Sequence, residues 1–401
     1  MRHLLTGLAV CVLTSSGCAL EPESPVFLSG TVLEPDGSPW RGAPLTLMRP
    51  RRLEGTQPLP GQPPSGRPTL AYEPWAQVTP DAQGLFLHEL TARDTGADGL
   101  ERPSPWSELD AFQLHLPPRD GARDFLAFHF TRDVDLPPLR RWVSQVRSSE
   151  DAGGVRLSWV DVPPLADIPE HGYFVQARGE SGVVWSQETR SGEAWLGPEM
   201  LEDFAPPLAF VQARAAGSRS WFQSNLGYVD VHEVPPVPLP FTGRIPFSRG
   251  QPCATEGGVV EPCPFTDGKL DTARVPIPPT GSLAQVLILR LREPVHPRRV
   301  LVRGNSNTSF TEAVMYVEGS LEGGPWQPLG HATAPPALEA APYTDDVSTQ
   351  VAFERDLDVP LREDTPLVDR VRIYSEQRSV TPPDAPPLRG YFSQLREVSV
   401  F

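Results

Sequence analysis

The sequence predicts an all-β protein made of several small modules. Helical periodicity over three or more turns is nearly absent, whereas segments that alternate between apolar and polar residues recur between Gly, Pro, Asp and Asn. The 401 residues include 49 Pro and 33 Gly, which favours short strands joined by turns, while 17 Phe and 9 Trp can fill buried cores. At roughly 100–150 residues per domain, this length predicts about three domains.

The N-terminus has the pattern of an export signal. Arg2 and His3 precede an apolar run at 4–13 that is too short to cross ~30 Å of hydrocarbon as a helix. No later stretch approaches the ~20 consecutive apolar residues of a membrane-spanning helix. We therefore predict a cleaved signal peptide at 1–17.

Cys18 directly follows three small residues at 15–17. This segment resembles the lipobox of bacterial lipoproteins, although Ser15 stands where that motif usually has leucine. The resemblance implies a lipid on Cys18, a lipidated tether at 18–25 and, with no aspartate beside the cysteine, an outer-membrane or cell-surface location. An ordinary cleaved signal with an incidental cysteine is the alternative.

Two cysteines remain after the acylated position, Cys253 and Cys263. A pair ten residues apart in an exported chain predicts one disulfide. A metal site is the alternative, but it needs a further soft ligand nearby, and no other Cys or His lies between 233 and 295.

The chain carries a formal net charge of −15. Binding to a phosphate backbone requires a basic surface, so nucleic acid is excluded as a partner.

The first module covers 26–136. A strand at 27–33, a turn with Pro and Gly and a second strand open it, and a turn leads into another strand at 78–87. These segments resemble the carboxypeptidase regulatory-like (transthyretin-like) β-sandwich, which implies a small accessory sandwich without catalysis. The Pro-, Gly- and Arg-rich insert at 49–68 is predicted to be an exposed loop.

The second module covers 140–232. Its strand-like segments at 155–159, 173–177 and 210–215 resemble those of a fibronectin type III domain. The resemblance implies a spacer that holds the last module away from the membrane. A stiff Pro-rich linker at 233–240 follows.

The third module covers 241–401. An FTDGKL segment, a VEGSLEGGPW hairpin, a VRIY strand and a closing LREVSV strand follow one another in the chain. This order resembles the discoidin (coagulation factor type C) domain, a galactose-binding-like jelly roll. Such domains bind sugars, lipids or proteins through loops at one end of the barrel.

The resemblance places a candidate ligand site in the polar stretch at 304–309, with an aromatic side chain to stack on a sugar. An ordinary hydrophilic loop is the alternative. The candidate ligand-binding residues are Asn305, Asn307, Thr308, Phe310 and Tyr343.

Other side chains of this module are interpreted as structural. Trp326 is assigned to the core of its hairpin rather than to a ligand platform. Arg299 and Arg303 occupy alternating positions of a predicted strand, and together with Arg298 they are typical of a solvated sheet face paired with acidic residues. Contact with an acidic glycan or a phospholipid head group is the alternative.

No cofactor is required by any motif, but a structural calcium ion is implied by the discoidin resemblance. Asp267, Thr272 and Glu397 match the positions of oxygen ligands in sugar-binding relatives. Lys269 departs from that pattern, because it places an ammonium where an acidic residue is common.

The sequence favours a binding protein over an enzyme. It contains no HExxH, GxSxG, P-loop, GxGxxG or CxxC motif, and the spacing of its eight His predicts no pair on one face. We expect a membrane-anchored cell-surface lipoprotein that binds carbohydrate or another envelope surface component. A structural or assembly lipoprotein that contacts envelope proteins is the alternative.

Overall fold

A computed structural model describes the fold. The residues it describes are 20–53, 69–97, 111–130, 132–151, 153–165, 168, 170–180, 182–204, 207–217, 228–240, 243–270, 285–305, 313–333, 355–377, 388–389, 392 and 395–401. They form an all-β structure, which confirms the predicted fold class. The two helices among them, α1 (Ala92–Thr95) and α2 (Pro198–Leu201), are single turns, and neither could cross a membrane.

The first part of the chain folds as two facing sheets. Its eight strands are numbered here in chain order. In one sheet, the first strand pairs antiparallel with the fourth strand and parallel with the seventh and eighth strands. In the other sheet, the neighbouring strands are the third, second, fifth and sixth, in that order. Val26, Leu28 and Val32 alternate inward between the sheets. The strands are β1 (Pro25–Leu33), β2 (Leu45–Leu53), β3 (Thr69–Val78), β4 (Leu85–Thr91), β5 (Phe112–His115), β6 (Arg123–Phe128), β7 (Val134–Asp135) and β8 (Leu139–Arg140).

The second part repeats this arrangement. The strands are β9 (Arg147–Asp151), β10 (Gly154–Ser158), β11 (Gly172–Gly179), β12 (Gly182–Thr189), β13 (Glu193–Leu196), β14 (Leu208–Gly217), β15 (Tyr228–Glu233) and β16 (Val237–Pro238). One sheet has the order β13-β10-β9, and the other contains β12-β11-β14-β15. Trp142, Trp159 and Trp185 are buried between them.

These first two sandwiches share one sheet. β15 pairs antiparallel with β14 on one side and with β6 on the other, in a register that runs from Tyr228 opposite Phe128 to Glu233 opposite Arg123. The result is a nine-stranded sheet that crosses from one sandwich into the next. The second sandwich is therefore joined to the first through backbone hydrogen bonds as well as through the chain.

The last part contains two further sheets, of order β18-β17-β19-β24-β21-β22 and β23-β20-β26. Its strands are β17 (Cys253–Thr255), β18 (Gly258–Val260), β19 (Val286–Val295), β20 (Arg299–Asn305), β21 (Ala313–Ser320), β22 (Gln327–Thr333), β23 (Arg355–Pro360), β24 (Val368–Gln377), β25 (Leu388–Arg389) and β26 (Glu397–Val400). Cys253 and Cys263 form a disulfide with an S–S distance of 2.17 Å, which confirms the predicted pair.

The last sandwich packs directly against the second one. Leu301 and Phe401 belong to the same hydrophobic cluster as Trp185 and Leu201 of the second sandwich. Within the predicted linker at 233–240, β16 pairs with the start of β14. The three parts are thus in contact along the described chain.

Candidate functional site

The predicted ligand loop is described only at its base. β20 ends at Asn305, whose backbone is opposite Arg355 of β23. Asn307, Thr308, Phe310 and Tyr343 lie outside the described residues, as do Cys18 and the signal peptide. The assignment of a ligand to this loop stays a prediction.

The base of this loop is fixed against the second sandwich. Gly304 N donates to Asp356 Oδ1 at 2.9 Å, and Ser186 N of β12 donates to Asp356 Oδ2 at 2.5 Å. Burial raises the pKa of the Asp356 carboxyl, while Arg303 opposes that rise. One carboxylate therefore joins β12 to the point where the loop leaves β20.

Arg303 is wrongly assigned by the sequence to a solvated face. Its side chain is 1% exposed, and it donates from Nε to Val184 O at 2.6 Å and from Nη2 to Met200 O at 2.8 Å. Its remaining nitrogen pairs with Glu202. The alternating pattern correctly predicts that Arg303 points away from the core of its own sandwich. However, the second sandwich covers the sheet face on which Arg303 lies.

The other two arginines of this predicted face, Arg298 and Arg299, fit the expectation better. Arg298 is exposed, and the half-buried Arg299 pairs with Glu199 at 3.0 Å and with Asp358 at 3.2 Å. Arg299 thus has acidic partners, as the alternating pattern predicted.

One of the predicted calcium ligands, Glu397, lies beside a guanidinium. Glu397 accepts from Gly268 N at 3.1 Å, next to the Asp267 turn, and its Oε1 lies 3.5 Å from Nε of Arg249. Arg249 also pairs with Glu202. These carboxylates already neighbour a cationic side chain, so the described part of the site does not fit a calcium ion; Thr272 lies outside the described residues.

The charge environment of Glu397 is unusual for a glutamate. Its side chain is fully buried, and burial together with the nearby Glu202 carboxylate raises its pKa to about 8, although Arg249 opposes that rise. Glu397 therefore holds a proton at pH values where an exposed glutamate is ionised.

A row of aromatic rings crosses the outer face of the larger sheet of the last sandwich. Tyr316 of β21 is directly opposite Tyr374 of β24 and His331 of β22. The Tyr316 and Tyr374 rings stack with centroids 5.5 Å apart, and the His331 ring centroid lies 5.9 Å from Tyr316. Both tyrosines are half-buried and His331 is exposed.

Alternation places these rings outward. In β21 Met315 and Val317 are buried in the core, so Tyr316 projects from the opposite face of the sheet. In β24 Val371 and Ile373 are buried in the core, so Tyr374 also projects from that outer face. The sequence contained this information. The order of these strands along the chain does not reveal the row, but the alternation within each strand does.

Charged groups border the row. Tyr374 Oη donates to Glu318 Oε1 at 3.1 Å, and Arg372 pairs with the same carboxylate. Burial and Glu318 raise the pKa of the Tyr374 phenol to about 12, so this hydroxyl stays protonated at neutral pH.

Trp326 completes this surface and corrects the prediction of a core tryptophan. It is half-buried outside the hydrophobic core, and the guanidinium carbons of Arg372 and Arg370 lie 4.7 Å and 5.4 Å from its ring centroid. The aromatic face is defined here as Tyr316, Glu318, Trp326, His331, Arg372 and Tyr374. It offers ring surface, fixed donors and an acceptor on a rigid sheet.

Comparison with protein-family profiles finds no match, and comparison with curated proteins finds none either. Several solved structures share limited similarity. The C-terminal domain of a chitobiase from Bacteroides fragilis is 14% identical and covers 37% of this chain and 89% of its own, with a TM-score of 0.24. A SusE-like protein is 9% identical, covering 64% and 95%, with a TM-score of 0.22.

A putative carbohydrate binding protein from Bacteroides uniformis is 9% identical and covers 54% of this chain and 99% of its own, with a TM-score of 0.18. Identities and TM-scores this low describe partial overlaps of β-strands. They assign neither a family nor a function to this chain.

Proposed function

We propose that this protein is a noncatalytic, surface-anchored carbohydrate-binding protein whose ligand stacks on the aromatic face. The observation that carries the proposal is the Tyr316–Tyr374 row, with Trp326, Glu318 and Arg372 around it on one outer sheet surface. The position differs from the loop end that the discoidin resemblance favours. Both belong to the last sandwich.

The chemistry of a sugar matches this surface. One side of a pyranose ring presents C–H groups, which gain from contact with aromatic rings, while its rim presents hydroxyls that need donors and acceptors. Tyrosine and tryptophan supply rigid contact area at low conformational entropy cost. The ion pair between Arg372 and Glu318 holds both side chains in one orientation, so their hydrogen-bonding groups are positioned before a ligand binds.

The charges of the surface are balanced within the protein. Arg370 and Arg372 both lie against Trp326, but Arg372 pairs with Glu318 and Arg370 Nε lies 3.8 Å from Asp369 Oδ1. We therefore expect ring stacking and hydrogen bonds, rather than charge, to select the ligand, and the binding test compares acidic with neutral glycans.

The anchoring part of the proposal rests on Cys18. Acylation there would hold the chain at the outer membrane with the sandwiches projecting into the solvent. Each buried methylene contributes ~0.8 kcal/mol, so more than one acyl chain gives stable attachment.

The test uses residues 20–401 without lipid, applied to a panel of acidic and neutral polysaccharides in affinity electrophoresis. Replacement of Tyr316 by alanine is expected to weaken binding by about tenfold or more, since a central aromatic contact contributes on the order of 1–3 kcal/mol. Trp326→Ala should weaken binding by a similar factor.

The matched control is Phe210→Ala. Phe210 is also a half-buried ring under an arginine, with Arg178 Cζ 4.8 Å from its centroid, but it lies on β14 of the second sandwich. Its loss should leave retardation unchanged. If wild-type protein is retarded by no member of the panel while it recovers envelope proteins in stoichiometric amounts, the assembly function replaces this proposal.

A further inference from the structure

Three buried metal-ligating side chains meet near the boundary of the first two sandwiches. One ligand atom from each of His171, Asp230 and His232 lies within 4.8 Å of the others. Asp230 Oδ2 is 2.9 Å from His171 Nε2 and 3.2 Å from His232 Nε2. The three side chains are 5%, 3% and 2% exposed.

The strand pattern creates this meeting point. Asp230 and His232 are two residues apart in β15, so they project from the same face. Opposite them on β14 are Ala215 and Ala213, whose small side chains leave room above that strand. His171, which precedes β11 on the far side of β14, reaches across this space.

A further carboxylate holds one imidazole in place. His232 Nδ1 lies 2.8 Å from Asp124 Oδ1 of β6, and Asp124 also accepts from Trp142 N at 3.2 Å and lies 3.6 Å from Nε of Arg141. Metal-ligating histidines commonly bond through their second nitrogen to such a carboxylate, which orients the ring. His232 Nε2 is thereby directed at Asp230.

One carboxylate oxygen of Asp230 can still accept a bond in this arrangement. Its Oδ1 is buried and accepts no hydrogen bond from the described residues, while its Oδ2 faces both imidazoles. A buried carboxylate oxygen without a partner is costly. A hydrogen-bonded network through Oδ2 leaves Oδ1 without a partner, whereas a cation bound by both oxygens of Asp230 satisfies it.

We propose that His171, Asp230 and His232 bind one divalent transition-metal ion, with zinc as the ion that two imidazoles and a carboxylate suit best. Zinc bonds to such atoms at about 2.0–2.2 Å, so neighbouring ligands in a tetrahedral shell lie roughly 3.3 Å apart. The separations of 2.9 and 3.2 Å from Asp230 Oδ2 are close to that spacing, and the two imidazole nitrogens lie within 4.8 Å of each other. The ion ties the start of β11 to the strand that both sandwiches share.

The proposal is tested on untagged protein of the full mature length that is first stripped of metal with a chelator and then incubated with zinc. We expect one zinc per chain by mass spectrometry after gel filtration, a raised melting temperature, and visible absorption bands of tetrahedral cobalt when Co²⁺ is added instead. His171→Gln and Asp230→Asn should each weaken zinc binding by about tenfold or more. Asp124→Asn should weaken it by about 10- to 100-fold.

His88→Gln is the matched control, because His88 lies on β4, in the smaller sheet of the first sandwich, away from this cluster. It should bind zinc as the wild type does. The proposal is overturned if wild-type protein retains no zinc and gives no cobalt bands. It is also overturned if folded His171→Gln and Asp230→Asn proteins bind zinc undiminished; should those variants not fold, the wild-type cobalt spectrum decides.

Discussion

At the scale of single residues, a buried carboxyl group between the second and last sandwiches keeps its proton. Glu202 and Glu397 are both fully buried beside Arg249, and Glu202 also pairs with Arg303. Breaking a buried ion pair by removing one partner costs about 3–5 kcal/mol. An additional buried negative charge is similarly unfavourable, which is why the proton stays on Glu397.

This proton makes stability depend on pH in a defined direction. The folded pKa of Glu397 is raised to about 8, above that of the unfolded chain, so the folded state binds the extra proton between the two values. The contribution is complete at low pH and is lost as pH rises toward about 8. We expect the melting temperature to fall between about pH 5 and pH 8.

Glu397→Gln should flatten this slope, because glutamine is neutral throughout. Glu293→Gln is the control: Glu293 is exposed and pairs only with the adjacent Arg292 among the described contacts, so the slope should persist. Calorimetry at a series of pH values measures both. A Glu397→Gln protein with the wild-type slope would show that another group titrates.

Which residues are buried was only partly predictable. Alternation showed that Arg303 points away from its own core, but no local pattern reveals that another sandwich covers that face. The same limit hid the His171, Asp230 and His232 cluster: His171 and Asp230 are 59 positions apart, and only β14 brings them together. Burial by a distant segment leaves no periodic trace in the sequence.

At the scale of elements, the disulfide fixes the start of the last sandwich. Cys253 lies in β17, which pairs with β18 and with the central strand β19, and Cys263 follows β18. A cross-link of this kind stabilises by restricting the unfolded chain. The two sulfur atoms are both buried in the hydrophobic core of this sandwich.

Reduction of this bond is expected to lower the free energy of unfolding by about 2–4 kcal/mol, the usual range for a short loop. Urea denaturation of residues 20–401 with and without a reductant measures the difference. Cys253→Ser should be as unstable as the reduced wild type and indifferent to reductant. Equal stability of oxidised and reduced protein would contradict the expectation.

Many strands were predictable because their pattern is local. The segments at 27–33, 155–159 and 173–177 alternate, and β1, β10 and β11 lie there. Strand pairing is not predictable from a local pattern, because any exposed strand edge can pair with another strand. Nothing in the sequence of Tyr228–Glu233 indicates that β15 pairs with β6 as well as with β14.

At the scale of the whole molecule, the proposed anchor gives a direct test. Cys18→Ser should move the protein from the outer-membrane fraction to the soluble fraction of a Gram-negative host, because serine cannot receive the thioether-linked lipid. Cys11→Ser is the matched control, since Cys11 lies within the predicted signal peptide and should leave the protein in the membrane fraction. Immunoblots of both fractions decide; a membrane-bound Cys18→Ser protein would refute the anchor.

Length and composition predict about three domains, a spacer and a Pro-rich linker, but they do not predict how these parts contact one another. Among the described residues, the first two sandwiches join through the β6–β15 pairing, and Leu301 and Phe401 of the last one belong to the same hydrophobic cluster as Trp185. These contacts depend on how well the surfaces of the sandwiches fit together, and the amino-acid composition gives no information about that fit.

The shared sheet limits how the protein can be shortened. A fragment that began near residue 140 would retain β15 without β6, leaving one row of its backbone N–H and C=O groups unpaired. Such edges recruit strands from other chains and promote swapping or fibre growth. β6 thus shields a neighbouring sandwich from self-association, and an excised piece would need a substitute strand to remain monomeric.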